Sequence, residues 1–166
     1  MKRVSEAVDS SDRSPREAPV SPPELLAAPG FLARRLYQAY MSAWARNVDS
    51  TMTGPQFAVL TAIARFAGTD QGSLAVTVAL DRSTMADVVR RLEERGLVMR
   101  TTDTNDGRRK LLYLTPAGSE TYNDVYARAR DLDEKLLAGR TPVERQILMA
   151  ELTTLAELWE NIAPLS

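Results

Sequence analysis

Apolar positions along the chain divide it into helices around one short pair of strands. From about Phe31 to Val48 a stripe of Leu32, Leu36, Tyr40 and Ala43 predicts a first helix, with Pro29 and Gly30 at its entrance. Thr53 followed by Gln56 is a capping box, and Pro55 stands in the first turn, where its missing N–H costs nothing, so a second helix starts at Thr53. A short third helix covers about Ser73 to Ala79. Asp81 then caps a fourth, in which Met85, Val88, Val89 and Leu92 recur at helical spacing and Gly96 makes the stop. Next come "LVMR" and "KLLYL", of strand length and apolar content, on either side of "DTNDGRRK" with its Asn-Asp-Gly turn chemistry. Two helical series close the chain: Tyr122, Val125, Ala129, Leu132 and Leu136, then Leu148, Leu152, Leu155, Trp159 and Ile162 after Pro142.

The polar side of the Asp81-capped segment carries Arg82, Ser83, Thr84, Ala86, Asp87, Arg90 and Arg91. Two helices joined by a tight turn, the second presenting short polar side chains from its first turns, have the geometry that enters a DNA major groove. Small residues allow close approach, arginines further along reach phosphates, and Asp87 suits a cytosine amino group. A plain amphipathic helix with a solvated face is the competing reading. The hairpin decides between them, because a helix-turn-helix followed at once by two strands is a winged helix. Arg108 at the wing tip then enters the minor groove, Asp106 holds that guanidinium extended, and Arg109 adds a cation beside it.

Charge follows the same division. Arg82 to Lys110 holds eight Lys or Arg against five Asp or Glu, whereas Asp131 to Ser166 holds three against seven, so the net charge of −1 conceals a basic lobe and an acidic one. Cations are gathered where phosphates would be met. Cysteine and histidine are absent, which removes disulfides, thiolate or imidazole metal ligands, and Ser/His/Asp triads. No glycine-rich phosphate loop is present and the carboxylates follow solvated helical patterns, so we expect no enzyme, no cofactor and no metal.

The predicted fold is mainly α with a small β-hairpin wing, a winged helix-turn-helix flanked by long dimerisation helices. Residues 1–24, rich in Ser, Pro and mixed charge, read as a disordered tail without a secretory signal, and 51–118 as the DNA-binding domain. Residues 25–50 and 119–166 read as a helical dimerisation region, because their apolar stripes exceed what one small domain covers. An intramolecular bundle is the alternative. No apolar run approaches the roughly 20 residues of a membrane span, so a cytoplasmic protein is expected. A winged helix that serves as a protein-interaction module without sequence-specific DNA binding is the alternative function, and a carboxylate-based hydrolase is a further one.

Several strings together resemble the MarR family of transcriptional regulators: "LDRSTMADVVRRLEERGLV", "DTNDGRRKLLYLTPAG" and "PQFAVLTAI", within a match from about Pro29 to Ile162. The resemblance implies a homodimer on a pseudo-palindromic operator, with half-sites roughly 10 base pairs apart. It further implies a repressor that a small phenolic molecule releases from DNA. Ala79 departs from the glycine usual in the helix-turn-helix turn, which puts that turn's backbone in question. "PGFLARRLYQAYMSAW" resembles the first helix of members that respond to aromatic carboxylic acids such as hydroxybenzoates, where an arginine meets the carboxylate. The match falls on Arg34, with Tyr40 and Trp44 as ring contacts. A guanidinium beside apolar helix faces suits such a ligand, and a surface or interdimer salt bridge is its other reading.

Overall fold

A computed structural model describes residues 21–104, 106 and 109–162. The chain forms two compact units, a first ending at Tyr37 and a second starting at Gln38. The first holds α1 (Pro23–Leu26) and the start of α2 (Pro29–Asn47). The second holds the rest of α2, then α3 (Gly54–Arg65), β1 (Thr69–Asp70), α4 (Gln71–Thr77), α5 (Arg82–Glu94), β2 (Val98–Thr102), β3 (Lys110–Leu114), α6 (Pro116–Leu136) and α7 (Pro142–Ile162). Among the described residues no helix is long and apolar enough to cross a membrane.

Local chemistry fixes where these helices start. The Thr53 hydroxyl accepts from the Gln56 N–H and the Gln56 side chain accepts from the Thr53 N–H, the expected reciprocal cap of α3. Asp81 caps α5 and Thr115 caps α6. α4 begins at Gln71, earlier than the expected Ser73, because Asp70 accepts from the Ser73 N–H at 3.1 Å. A second reciprocal cap, Thr141 with Glu144, opens α7.

α3, α4 and α5 pack on one another around Leu60, Ile63, Leu74, Met85, Val89 and Leu92, all fully buried. The hairpin pairs Val98 with Leu114 through Thr102 with Lys110, and Leu112 from β3 enters the same core. The wing is larger than the expected hairpin: β1 pairs with β3, Thr69 opposite Leu112, so the sheet has three strands in the order β1-β3-β2. Two residues joined to a strand far along the chain leave no periodicity to read.

The junction after the wing is close. Thr115 donates its N–H to Leu97 O at 3.1 Å and its hydroxyl to Gly96 O at 2.7 Å. A Cβ at Gly118 would stand 1.9 Å from Leu97 O, so only glycine fits in the first turn of α6. Ala79 adopts φ +52°, so the departure from glycine leaves the turn's left-handed conformation in place.

The two C-terminal apolar series behave differently. On α6, Val125, Ala129 and Leu132 are buried within the chain. On α7 no residue is buried, and Leu152, Leu155, Leu158, Trp159 and Ile162 are all exposed.

Candidate nucleic-acid interface

α5 buries Met85, Val88, Val89 and Leu92. At 3.6 residues per turn, about the helical repeat, Ser83, Asp87, Arg90 and Glu94 run down the opposite side, with Arg82 and Ala86 flanking on one edge and Arg91 on the other. This outward stripe begins in an ordered first turn. The Ser83 hydroxyl donates to Asp81 Oδ1 at 2.5 Å, the Thr84 hydroxyl to Oδ2 at 2.6 Å, and the Thr84 N–H to Oδ1 at 2.8 Å. The Ser83 bond first, then the two from Thr84, hold the Asp81 carboxyl well below the usual carboxylate range.

Further along, Arg90 lies 2.8 Å from Glu94 and 3.4 Å from Asp87. Glu94 foremost, with Asp87, raises the Arg90 pKa. The expected phosphate cation therefore sits between two carboxylates, while Arg82 and Arg91 are exposed at the two edges of the stripe.

The wing is joined to both helices of the motif. Arg100 of β2 meets Glu93 of α5 at 2.8 Å, and Arg109 meets Asp70 at the start of α4 at 2.8 Å. Arg109 is the foremost cause that holds the Asp70 carboxyl well below its ordinary range. Below the tip, the Arg109 N–H donates to Asp106 O at 2.9 Å and the Asp103 N–H to Arg109 O at 3.0 Å. Arg109, expected among the cations offered to DNA, thus ties the base of the wing to α4. Arg108, Gly107 and the expected Asp106–Arg108 contact lie outside the described residues. Sequence reasoning missed Asp70 and Arg100. The Asp three residues before Ser73 was a readable cap signal, but its pairing with Arg109 spans 39 residues and has no local signature.

The expected ligand residues fall in both units. In the first, the Arg34 guanidinium stands 5.4 Å over the Phe31 ring. In the second, Trp44 is only 3% exposed and donates its indole N–H to Met52 O at 2.6 Å. Its ring lies 5.9 Å from Tyr40 and 5.3 Å from Phe57, which in turn stacks on Tyr122 at 6.0 Å. Trp44 is therefore part of a buried aromatic row, with half-buried Tyr40 beside it. An open groove of about 360 Å³ between α3, β3 and α6 is lined by Ile63, Ala64, Ala67, Tyr113, Leu114, Ser119, Tyr122 and Asn123. With no cation in that lining, a carboxylate would find no counter-charge there.

Comparison with known proteins agrees with this architecture. The sequence pattern of the MarR family matches residues 52–110, from the cap of α3 to the start of β3. The transcriptional regulator HosA of Escherichia coli is 34% identical over 119 residues, 72% of this chain and 87% of HosA. The PcaV transcriptional regulator of Streptomyces coelicolor, in complex with its natural ligand, superposes with a TM-score of 0.78 at 38% identity, over 85% of this chain and 98% of that one. BpsR of Bordetella bronchiseptica, whose DNA binding 6-hydroxynicotinic acid regulates, superposes with a TM-score of 0.69 at 28% identity, over 76% and 97% of the two chains. With a winged helix-turn-helix built on the same order of elements and relatives matched over most of their length, the chain belongs to the MarR family of transcriptional regulators.

Proposed function

We propose that the chain is a homodimeric repressor that binds a pseudo-palindromic DNA operator and is released from it by a small aromatic carboxylic acid. In this reading residues 51–118 contact DNA, while 25–50 and 119–166 form the dimer. Ser83, Thr84, Ala86 and Asp87 meet base edges, Arg82, Arg90 and Arg91 meet phosphates, and Arg108 enters the minor groove from a wing that Asp106 and Arg109 hold. The observation that carries the reading is the outward stripe of α5, which opens with a capped first turn and is flanked by Arg82 and Arg91 on a helix joined to its wing by Arg100 and Glu93. The unburied apolar side of α7 supports the dimer.

The ligand half rests on Arg34 as the carboxylate partner and on the relatives, of which BpsR is regulated by an aromatic acid. Fluorescence anisotropy on a duplex enriched by the protein tests both halves. The double variant Arg82→Ala/Arg91→Ala should bind at least tenfold more weakly, with a shallower salt dependence. Arg34→Ala should hold the duplex as the native chain does and no longer release it on addition of 6-hydroxynicotinic or 4-hydroxybenzoic acid. Failure of the native chain to bind any duplex at low salt would reject the DNA reading in favour of a protein-interaction module. Loss of DNA binding along with ligand response in Arg34→Ala would remove the ligand role.

A further inference from the structure

We propose that Asp81 sets the polarity with which the recognition helix reads bases, by turning Ser83 into a side chain that accepts hydrogen bonds from DNA and donates none. The inference rests on the DNA-binding reading above and goes beyond it, to which base edges the helix can recognise.

A serine hydroxyl has one proton to donate and lone pairs to accept with, so free serine suits either kind of base edge. Ser83 is not free in this way. Its proton is committed to Asp81 Oδ1 at 2.5 Å, a charge-assisted bond that a neutral base acceptor competes with poorly. The Thr84 proton is committed likewise to Oδ2 at 2.6 Å. What Ser83 still offers, at the head of the outward stripe, is lone pairs. One turn on along the same stripe stands Asp87, which as a carboxylate also only accepts.

In the major groove the donors are the exocyclic amino groups of adenine and cytosine. Guanine O6 and N7 and thymine O4 present lone pairs of their own. Two successive acceptors therefore favour adenine or cytosine at the contacted positions and repel guanine or thymine. Phosphate oxygens, which also only accept, are excluded as partners of Ser83 for the same reason. Capping alone does not require a carboxylate, since Ser, Thr or Asn would satisfy the Thr84 N–H. The second oxygen and the charge of Asp81 are what hold the hydroxyls. Asp81 is thus a positioning residue, and Ser83 the residue that reads.

The test separates polarity from capping. Selection from a random duplex library with the native chain gives a motif, and the same selection with Ser83→Ala identifies the base that Ser83 reads as the position that relaxes. Binding is then measured to the selected duplex and to one with the transition at that base, A to G or C to T, which replaces the amino donor by a carbonyl acceptor in the same place. The native chain should prefer the selected duplex about tenfold, within the usual cost of one wrong base pair. Ser83→Ala should show no preference. Asp81→Ser, which keeps a capping oxygen and so a melting temperature close to native, should prefer it less than about threefold, because its Ser83 hydroxyl can turn to donate. Asp81→Thr is a second variant of the same design. Undiminished discrimination by the two Asp81 variants would overturn the proposal, as would a motif that Ser83→Ala leaves unchanged; in either case the operator reading stands. A native chain that enriches no sequence would instead overturn the operator reading and this inference with it.

Discussion

α5 and α7 are both helices with a strong apolar component, and they resolve it in opposite ways. α5 buries four side chains within its own chain and turns a polar stripe outward. α7, at 21 residues, buries none, and its apolar positions are spread over two adjoining stripes, Val143, Ile147 and Leu158 on one and Leu152, Leu155 and Trp159 on the other. A helix apolar over about half its circumference is amphipathic, with one broad side that suits packing against another element. Within the chain, α7 is held at its start by its Thr141–Glu144 cap and by the Arg145–Glu134 ion pair at 2.6 Å. The stability of the isolated fold therefore resides in the α3 to α5 core with the wing and α6, and it is in the proposed dimer that α7 would be covered.

The largest expected effect follows from that contrast. Leu152→Asp with Leu155→Asp places two carboxylates per protomer where a second chain would cover them, and each symmetric interface meets the change twice. Sedimentation should show a dimer for the native chain and a monomer for the variant, with DNA affinity lowered by over about a hundredfold once two half-sites no longer bind together. The α3–α5 core should melt almost as before. A variant that stays dimeric would show that α7 is not the interface.

Next in size is a change on the well-packed side. Gly118→Ala sets a methyl 1.9 Å from Leu97 O, a backbone atom that the Thr115 N–H also holds, so nothing flexible can yield. We expect a loss of about 3 kcal/mol in chemical denaturation, the range of severe overpacking. A loss below about 1 kcal/mol would mean that this junction is looser than its hydrogen bonds indicate.

How far the sequence could be read follows the same line between local and distant causes. α5 was legible from its Asp81 cap to its Gly96 stop, because cap, periodicity and terminator all lie within the segment. α3 was legible for the same reason. β1 was not, since its two residues acquire strand geometry only by pairing with β3. Arg109 read as one of three consecutive cations at a wing tip, and only the fold brings Asp70 within 2.8 Å of it. Arg90 is a different case: its partners Asp87 and Glu94 stand three and four residues away, so their pairing was available from spacing alone. Trp44 was read only as a ring contact for a ligand, although it stands four residues beyond Tyr40, a spacing that also suits the buried position it takes.

A smaller effect tests the join between wing and helices. Asp70 ionises more readily in the folded chain than at the ordinary value near 3.8, with Arg109 the foremost cause. A depressed carboxylate contributes its stability in full above the unfolded value and loses it as the pH falls through the folded one. Arg109→Ala should therefore be less stable than the native chain by up to about 1 kcal/mol at pH 7, the scale of a partly exposed ion pair. That difference should hold constant down to about pH 5 and shrink as Asp70 protonates below about pH 4. An unchanged difference at pH 2 would show that Arg109 acts by packing alone.

The smallest effect comes from two helix ends with one geometry and different residues. At the end of α4 the Ala79 N–H donates to Val76 O at 3.2 Å and the Leu80 N–H to Ala75 O at 3.0 Å; at the end of α5 the Gly96 N–H donates to Glu93 O at 2.8 Å and the Leu97 N–H to Leu92 O at 2.9 Å. Both are Schellman closures, in which the residue after the cap takes a positive φ, +52° at Ala79 and +69° at Gly96. Alanine in that region carries a strain of about 1 kcal/mol or slightly more, which glycine lacks, while glycine costs roughly 0.4–1 kcal/mol through the greater freedom of the unfolded chain. The balance predicts that Ala79→Gly stabilises by a few tenths of a kcal/mol, about 1–2 °C in a chain of this size. Gly96→Ala should destabilise by a similar or somewhat larger amount. Because both residues lie at the ends of helices in one core, the pair forms a mutual control: if Ala79→Gly lowers the melting temperature, the strain assigned to Ala79 is absent and the turn tolerates alanine for a reason outside its backbone conformation.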